Sequence, residues 1–460
     1  MVLTFIFLYL LANVVIGYWA ARRVKNVTDF ALASRRLPIA MAASAMFATW
    51  FGSETVLGAS AEFAENGILG VIEDPFGASL CLVLVGAFFA RKLYRMNLLT
   101  LSDYYRNRFN RTAEFFSAIF LIPSYFGWIA AQLVALGIIL QAIAGIEIGY
   151  GIVICTVVVM FYTYFGGMWA VAITDFIQTI VIIIGMIALT VMLLVSAGGW
   201  AKVAAAQPEG FFNFLPQSGW EPGLEYFAAW VTIGLGSIPA QDVFQRVMSA
   251  KSERVAVQAA YLSAGMYLVV ALLPLIIVIA GLTLYPDLQV SLGQMLLPAI
   301  VTVHGSEFMQ ILFFGALLSA VLSSASGAII APSTILAVNL VKPFRPGMSQ
   351  RQLLKWMRIS VIFISIVSAA MALMKKDIFE LVAQSSILSL VSLFVPLTAG
   401  LYWKKANSYG AIASMCAGIA VWGAAEIWEF AGPSLVWGLG ASVAGLLVGN
   451  QVKNRYIRYN

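Results

Sequence analysis

Apolar stretches of about twenty residues, each closed by a short polar loop, recur along the whole chain. A bilayer core takes about 20 helical residues to cross, so this period predicts membrane-spanning helices. The stretches fall at 2–20, 37–60, 67–90, 113–142, 149–166, 172–196, 225–246, 256–282, 309–340, 359–374, 378–401, 408–428 and 434–450, about 13 transmembrane helices in all. Composition agrees. Of the 460 residues, 61% are hydrophobic and 10% charged, against roughly 25% charged in soluble domains. Mean hydropathy is +0.91. The expected fold class is all-α, a polytopic membrane protein. Secreted, disordered, collagen-like and nucleic-acid-binding classes are excluded. The first stretch lacks a basic start and a clear cleavage site, so it reads as a span and not as a signal peptide. Cys81, Cys155 and Cys416 sit in apolar runs without CxxC spacing and are expected to be inert thiols. A single histidine, His304, leaves no His-based metal site.

Charge sets the expected orientation. Arg22, Arg23, Lys25, Arg35 and Arg36 follow the first span. Arg91 to Arg111, Arg246 to Arg254, Lys342 to Arg358, Lys404 and Lys405, and Lys453 to Arg458 follow every second span after that. Of the 27 Lys and Arg, only Lys202, Lys375 and Lys376 fall in the alternate loops, which carry glutamates and aspartates instead. The positive-inside rule then predicts an outer N-terminus and a cytoplasmic C-terminus in the plasma (inner) membrane. The net charge of +6 is thus read as a topogenic signal. The longest outer loop, about 197–224, is rich in Gly, Pro and aromatics and reads equally as a lid or as an interfacial aromatic belt.

Polar groups inside the spans are functional candidates, because an intramembrane charge is expensive. Ser53, Glu54 and Thr55 follow Gly52. Glu73 and Asp74 precede Pro75. Asp175 follows Gly166 and Gly167. Gly234, Gly236, Ser237, Pro239, Gln241 and Asp242 share the seventh span. Spans two and seven are each interrupted midway by such residues. Freed backbone groups cannot face lipid, so both breaks must face a protein or water cavity. Paired interrupted helices in two halves predict a five-plus-five inverted repeat with discontinuous helices. Its units would be 37–196 and 225–403, joined by the loop 197–224. Residues 1–36 and 404–460 would be peripheral. The bland alternative is that Gly and Ser only permit close helix packing.

The ninth span adds a second argument. Ala320, Ser323 and Ser324 share one helix face. Serines in membrane helices often bond back to their own helix, yet Ser319, Ser323, Ser324 and Ser326 are crowded into one short stretch. Ala48 and Phe51 are likewise one turn apart, just before Gly52. Carbonyls of Ala48, Phe51 and Ala320 with hydroxyls of Ser323 and Ser324 would suit dehydrated Na⁺.

The segments Ala48–Gly58, Tyr164–Gln178 and Gly315–Ser324 together resemble the sodium:solute symporter family of LeuT-type fold. Gly236–Pro239, Phe244–Val247, Trp356–Ile359 and Asn407–Ala411 are most similar to its high-affinity choline-transporter-like members. The resemblance implies that the five oxygens above bind Na⁺ and that Asp175 lies near the ion exit. In members with a second sodium this aspartate joins serines matching Ser323 and Ser326. Gly327 stands here where a third hydroxyl would be. Trp50 and Trp128 match two positions of a choline-type aromatic cage, while Ala78 and Ala240 replace its Tyr and Trp. Ordinary packing is the competing reading of both tryptophans.

The expected function is Na⁺-coupled symport of a small organic solute by alternating access. The solute would be a cation or zwitterion such as choline, a related amine or a betaine, with a proline-like amino acid as the alternative. Trp50, Glu54, Thr55, Glu73, Asp74, Trp128, Ser237 and Gln241 are the expected substrate residues. One charge crossing about 100 mV releases about 2.3 kcal/mol. A transporter-like sensor would need a separate partner, because the tail after the last span is about ten residues. The sequence names no protein partner and implies the lipid bilayer and a small molecule, not nucleic acid. A channel finds no filter-like repeat. An enzyme finds neither HExxH nor GxSxG.

Overall fold

The computed structural model describes every residue except Met1, Arg23, Pro346 and 458–460. The basic residues Arg23 and Arg458 therefore lie outside the described residues. The chain is helical throughout. Among the described residues the only β pairing is an isolated bridge between Leu37 and Ala250. Helix α1 is Val2–Ala21 and α2 is Ile39–Trp50. The chain then breaks at Phe51 (φ −80, ψ 81) and resumes as the wide turn Glu54–Gly58 and the helix Ala59–Asn66. After the third predicted span and the short helix Leu101–Arg108, Arg111–Leu121 leads into α3, Phe126–Ala144. Helix α4, Ile148–Ser196, contains the fifth and sixth predicted spans, separated by a turn at Gly167 (φ 53, ψ −160). The second break lies between α5, Trp220–Gly236, and α6, Gln241–Ser249. Helices α7 (Glu253–Leu284), α8 (Glu307–Ile335), α9 (Gln350–Met374), α10 (Ile378–Ser389), α11 (Ser408–Ile427) and α12 (Ser434–Ile457) complete the chain.

Nine helical runs among the described residues are each long and apolar enough to cross a membrane. Helix α2 and the first part of α4, Ile148–Phe161, are apolar but shorter, so nine is the count on length alone. The pattern of burial separates the layers. On α4, Ile177, Ile180, Ile184, Ile187, Val191 and Val195 are exposed at helical spacing, as a lipid-facing stripe requires. Helix α8 is the reverse, with every residue from Phe313 to Ile335 buried. Its serines therefore face protein. Helices α11 and α12 pack on each other.

The segment 197–219 carries the short helix Trp200–Ala205 and then folds back onto the segment around Phe63 and Ile68. Phe211 contacts Phe63 ring to ring at 4.9 Å, and its carbonyl accepts the Ile68 N–H at 3.0 Å. All three cysteines are free thiols.

Arg246 departs from expectation. The sequence pattern places it in a basic loop, but it lies within α6 at 1% exposure. It is not one of the surface charges that set topology.

Candidate functional site

The break in α2 redirects its backbone groups. In a continuous helix the Gly52 N–H would bond the Ala48 carbonyl. Here it donates to Trp50 O at 3.0 Å. The Ala48 carbonyl instead accepts the Ser324 hydroxyl of α8 at 2.8 Å. The Ser53 N–H turns the other way and donates to Gln132 Oε1 at 3.0 Å, while Gln132 Nε2 donates to Glu54 Oε2 at 2.8 Å. Gly52 lies between these two sets of contacts. A Cβ there would fall 2.8 Å from Gln132 Oε1 and 2.9 Å from both Glu54 Oε2 and Ser324 Oγ.

The four serines of α8 divide by role. Ser319 bonds back to Gly315 O at 2.6 Å, and Ser326 to Ser323 O at 3.0 Å. Ser323 and Ser324 leave the helix: Ser323 donates to Asp175 of α4, and Ser324 to Ala48. Ala48, Phe51 and Ala320 are fully buried beside them. A carbonyl and a hydroxyl already in contact are hard, neutral oxygens, the donor type that suits an alkali ion. Ser326 bonds within its own helix.

Beyond Gly52, the two breaks border a small cavity. Trp50, Glu54, Asp74, Trp128 and Ser237 all line it. Asp74 does not cap a helix. Its Oδ1 accepts the Tyr267 hydroxyl of α7 at 2.5 Å, and its Oδ2 the Thr55 hydroxyl at 2.8 Å. Thr55 Oγ1 also lies 2.6 Å from Tyr267 Oη and 3.1 Å from Trp50 O. Thr55 therefore holds Asp74 and does not line the cavity. Ala78 and Ala240 do line it, without the aromatic rings of a full cage.

Besides Thr55, two more expected substrate residues lie outside the lining. Gln241 Oε1 accepts the Leu101 N–H at 2.6 Å, which ties α6 to the helix Leu101–Arg108. It is a clamp on α6. Glu73 is half-buried beside Thr232 and outside the cavity lining. Asp74 and Glu73 are adjacent in the chain, and the extended backbone of Asp74 (φ −142, ψ 117) sends only Asp74 to the cavity.

Several lining residues were missed. Asp242 is fully buried, and its Oδ1 accepts the Tyr125 hydroxyl at 2.5 Å while its N–H donates to Tyr125 Oη at 2.9 Å. Ser124, Ser385, Ser386 and Ser389 add hydroxyls. Tyr125 precedes Trp128 by one turn, and Asp242 follows the second break much as Glu54 follows the first. Those two signals were in the sequence. The Asp242 Oδ2 has no hydrogen-bond partner among the described residues. Among the described residues, no Lys or Arg lines the cavity.

Residues 30–418 match the model of the sodium:solute symporter family. The chain is 28% identical over 434 residues to the "High-affinity choline transporter 1" of Drosophila melanogaster, covering 90% of this chain and 69% of that one. It is 26% identical over 449 residues to the "High-affinity proline transporter PutP" of Bacillus subtilis, covering 90% of both. In three dimensions it matches a substrate-bound, outward-open Na⁺-coupled sialic acid symporter with a TM-score of 0.85, at 20% identity over 97% of each chain. That likeness establishes the LeuT-type helical fold. The relatives are carriers and not enzymes. The chain belongs to the sodium:solute symporter family, the Na⁺-coupled carriers of small solutes.

Proposed function

We propose that this carrier takes up a small organic cation or zwitterion, of the choline, amine or betaine class, through the cavity between the two helix breaks. The observation that carries this reading is the lining. Glu54 and Asp74 face a cavity that holds Trp50 and Trp128 and, among the described residues, no Lys or Arg. Buried carboxylates need a positive partner, and tryptophan faces attract a cation without demanding hydrogen bonds. The similarity to choline carriers supports the same class. The five cavity serines and the free Asp242 oxygen add polar contacts that a fully aromatic cage lacks.

Na⁺ binds in this reading between Ala48, Phe51, Ala320, Ser323 and Ser324. It enters from outside, favours the outward-open shape, and leaves past Asp175 after the cavity opens inward. Residues 37–196 and 225–403 are the two repeat units, and about thirteen crossings place the N-terminus outside and the C-terminus in the cytoplasm. The membrane is the plasma (inner) membrane.

The test is a thermal-shift screen of purified protein with choline, betaine and proline, each with and without Na⁺, since a ligand of the folded form raises its apparent stability. Solutes that stabilise are then tested for uptake in proteoliposomes. Stabilisation by choline or betaine that grows with Na⁺, and uptake driven by an inward Na⁺ gradient, are the expected results. Stabilisation by proline alone, or uptake indifferent to Na⁺, refutes the assignment.

A further inference from the structure

The connection between α8 and α9 does more than the orientation rule asks of it. Residues 342–359 hold Lys342, Arg345, Arg351, Lys355 and Arg358 and no carboxylate. Topology needs such charges but no particular shape. Arg345 and Lys355 nevertheless line a cleft, together with Gln352, Trp356 and Ile359, and no Asp or Glu lines it among the described residues. Neither Arg345 nor Lys355 forms an ion pair among the described residues.

The cleft is preformed. The Arg345 N–H donates to Lys342 O at 3.0 Å, and its carbonyl accepts the Met348 N–H at 3.3 Å. Its guanidinium carbon lies 4.7 Å from the centroid of the Trp356 ring. A ring face holds a guanidinium by attraction and leaves the N–H groups at its edge for an anion. Gln352 Oε1 accepts the Ser349 N–H at 2.9 Å, so the amide nitrogen is the end left to donate.

Ile359 belongs to two features at once. It lines the cleft, and it begins an exposed apolar stripe on α9 that continues through Ile362, Phe363 and Ile366 at helical spacing. Helix α9 is long and apolar enough to cross a membrane, so the stripe faces hydrocarbon. Lys355 lies one turn outside Ile359, about 6 Å along the axis, where headgroups begin.

We propose that this cleft binds the phosphate of one anionic phospholipid, with an acyl chain lying along Ile359 to Ile366. Arg345 forks onto the phosphate oxygens, Lys355 supplies a second charge and Gln352 a neutral donor. The lipid thereby ties the connection after α8 to the first turns of α9. A free phosphate would meet the same charges but gain nothing from the stripe, which favours the lipid. The inference is independent of which solute and ion are carried.

Native mass spectrometry of the purified full-length chain, titrated with dioleoylphosphatidylglycerol or dioleoylphosphatidylcholine, tests it. The wild type should retain one phosphatidylglycerol about thirtyfold more tightly than phosphatidylcholine, the strength of two basic side chains near an anionic surface. Arg345→Ala with Lys355→Ala should erase that preference; both residues are exposed, and thermal shift checks that the variant is folded. Lys404→Ala with Lys405→Ala removes the same charge from another exposed basic loop and should leave the preference intact. Equal retention of the two lipids by the wild type overturns the site. Equal losses in the two double variants overturn it as well, since diffuse charge would then be the cause. Displacement of the lipid by millimolar glycerol phosphate overturns the lipid in favour of a soluble phosphate. If the Arg345 and Lys355 variant does not fold, Arg345→Gln alone decides, with an expected fall of about fivefold in the same ratio.

Discussion

Gly52→Ala is the sharpest test of the break in α2, because one added methyl group reaches both sites. The new Cβ would lie 2.8 Å from Gln132 Oε1 and 2.9 Å from Glu54 Oε2 and Ser324 Oγ. The φ of Gly52 is outside the left-handed region, so the effect is steric and not a backbone penalty. Overpacking of this kind costs about 1–3 kcal/mol. Ser324 can yield only by giving up its 2.8 Å bond to Ala48. Glu54 and Gln132 can yield only by opening their own 2.8 Å contact. If half of a cost near 3 kcal/mol falls on the ion side, the Na⁺ concentration for half-maximal uptake rises about tenfold. The solute half-saturation should rise by a similar factor. Gly58→Ala is the matched control, since its Cβ would meet Phe379 at 3.4 Å, an ordinary contact. The assay is Na⁺-dependent uptake in proteoliposomes, with Na⁺-induced thermal shift as a second readout. A Gly52→Ala protein with wild-type Na⁺ and solute dependence refutes the shared break. A shift in solute affinity alone refutes the claim that Ser324 belongs to the ion site.

Other substitutions separate the remaining roles. Ser323→Ala with Ser324→Ala should abolish Na⁺-driven uptake while thermal shift still reports folded protein; retained uptake removes the ion-site assignment. Asp74→Asn should weaken a cationic solute roughly hundredfold, since a unit charge at about 5 Å and an effective dielectric of about 20 contributes on the order of 3 kcal/mol; an unchanged inhibition constant in competition uptake argues against a cation. Trp50→Ala should weaken solute binding far more than Na⁺ binding, and equal losses would mean packing. Tyr267→Phe leaves Asp74 with one hydroxyl donor in place of two, and solute affinity should fall by several-fold, about 1 kcal/mol for the lost hydrogen bond; no change would mean that Asp74 is held without it.

The parts of this site that were legible in the sequence are those written into single segments. Gly52 and the run Gly236–Pro239 announce breaks, because glycine and proline are poor helix formers and the flanking residues are apolar. Ser323 and Ser324 announce an off-helix role by crowding. Tyr267 was not legible. It is one tyrosine in the long apolar helix α7, and its partner Asp74 lies 193 positions away. Arg246 was misread because a basic residue near the end of a span resembles a topogenic charge. Only its position one turn after Asp242 hinted at an internal partner. Gln241 and Glu73 were misassigned for a related reason: sequence places a polar residue at a break, but the local backbone decides which side of the break it serves.

Coupling between the two proposed sites would run through three consecutive residues, Gly52, Ser53 and Glu54. At the break, the Gly52 N–H bonds Trp50 and not Ala48, which leaves the Ala48 carbonyl for the ion side. The Ser53 N–H, freed by the same distortion, bonds Gln132 and through it positions Glu54 on the solute side. Straightening the helix would reclaim both backbone groups at once. It would withdraw an oxygen from Na⁺ and the support from Glu54 together. An ion that holds Ala48 and Ser324 therefore stabilises the bent state in which Glu54 faces the cavity, and a cation against Glu54 and Asp74 stabilises the same bend. Coupling of this kind needs no long pathway, only a bistable turn that both ligands prefer in one form. A coupling of 1–3 kcal/mol is ordinary between two sites. That is comparable to the roughly 2.3 kcal/mol one charge gains across about 100 mV. Affinity for either ligand must then depend on the other by the same factor, so Na⁺ should raise solute affinity as much as solute raises Na⁺ affinity.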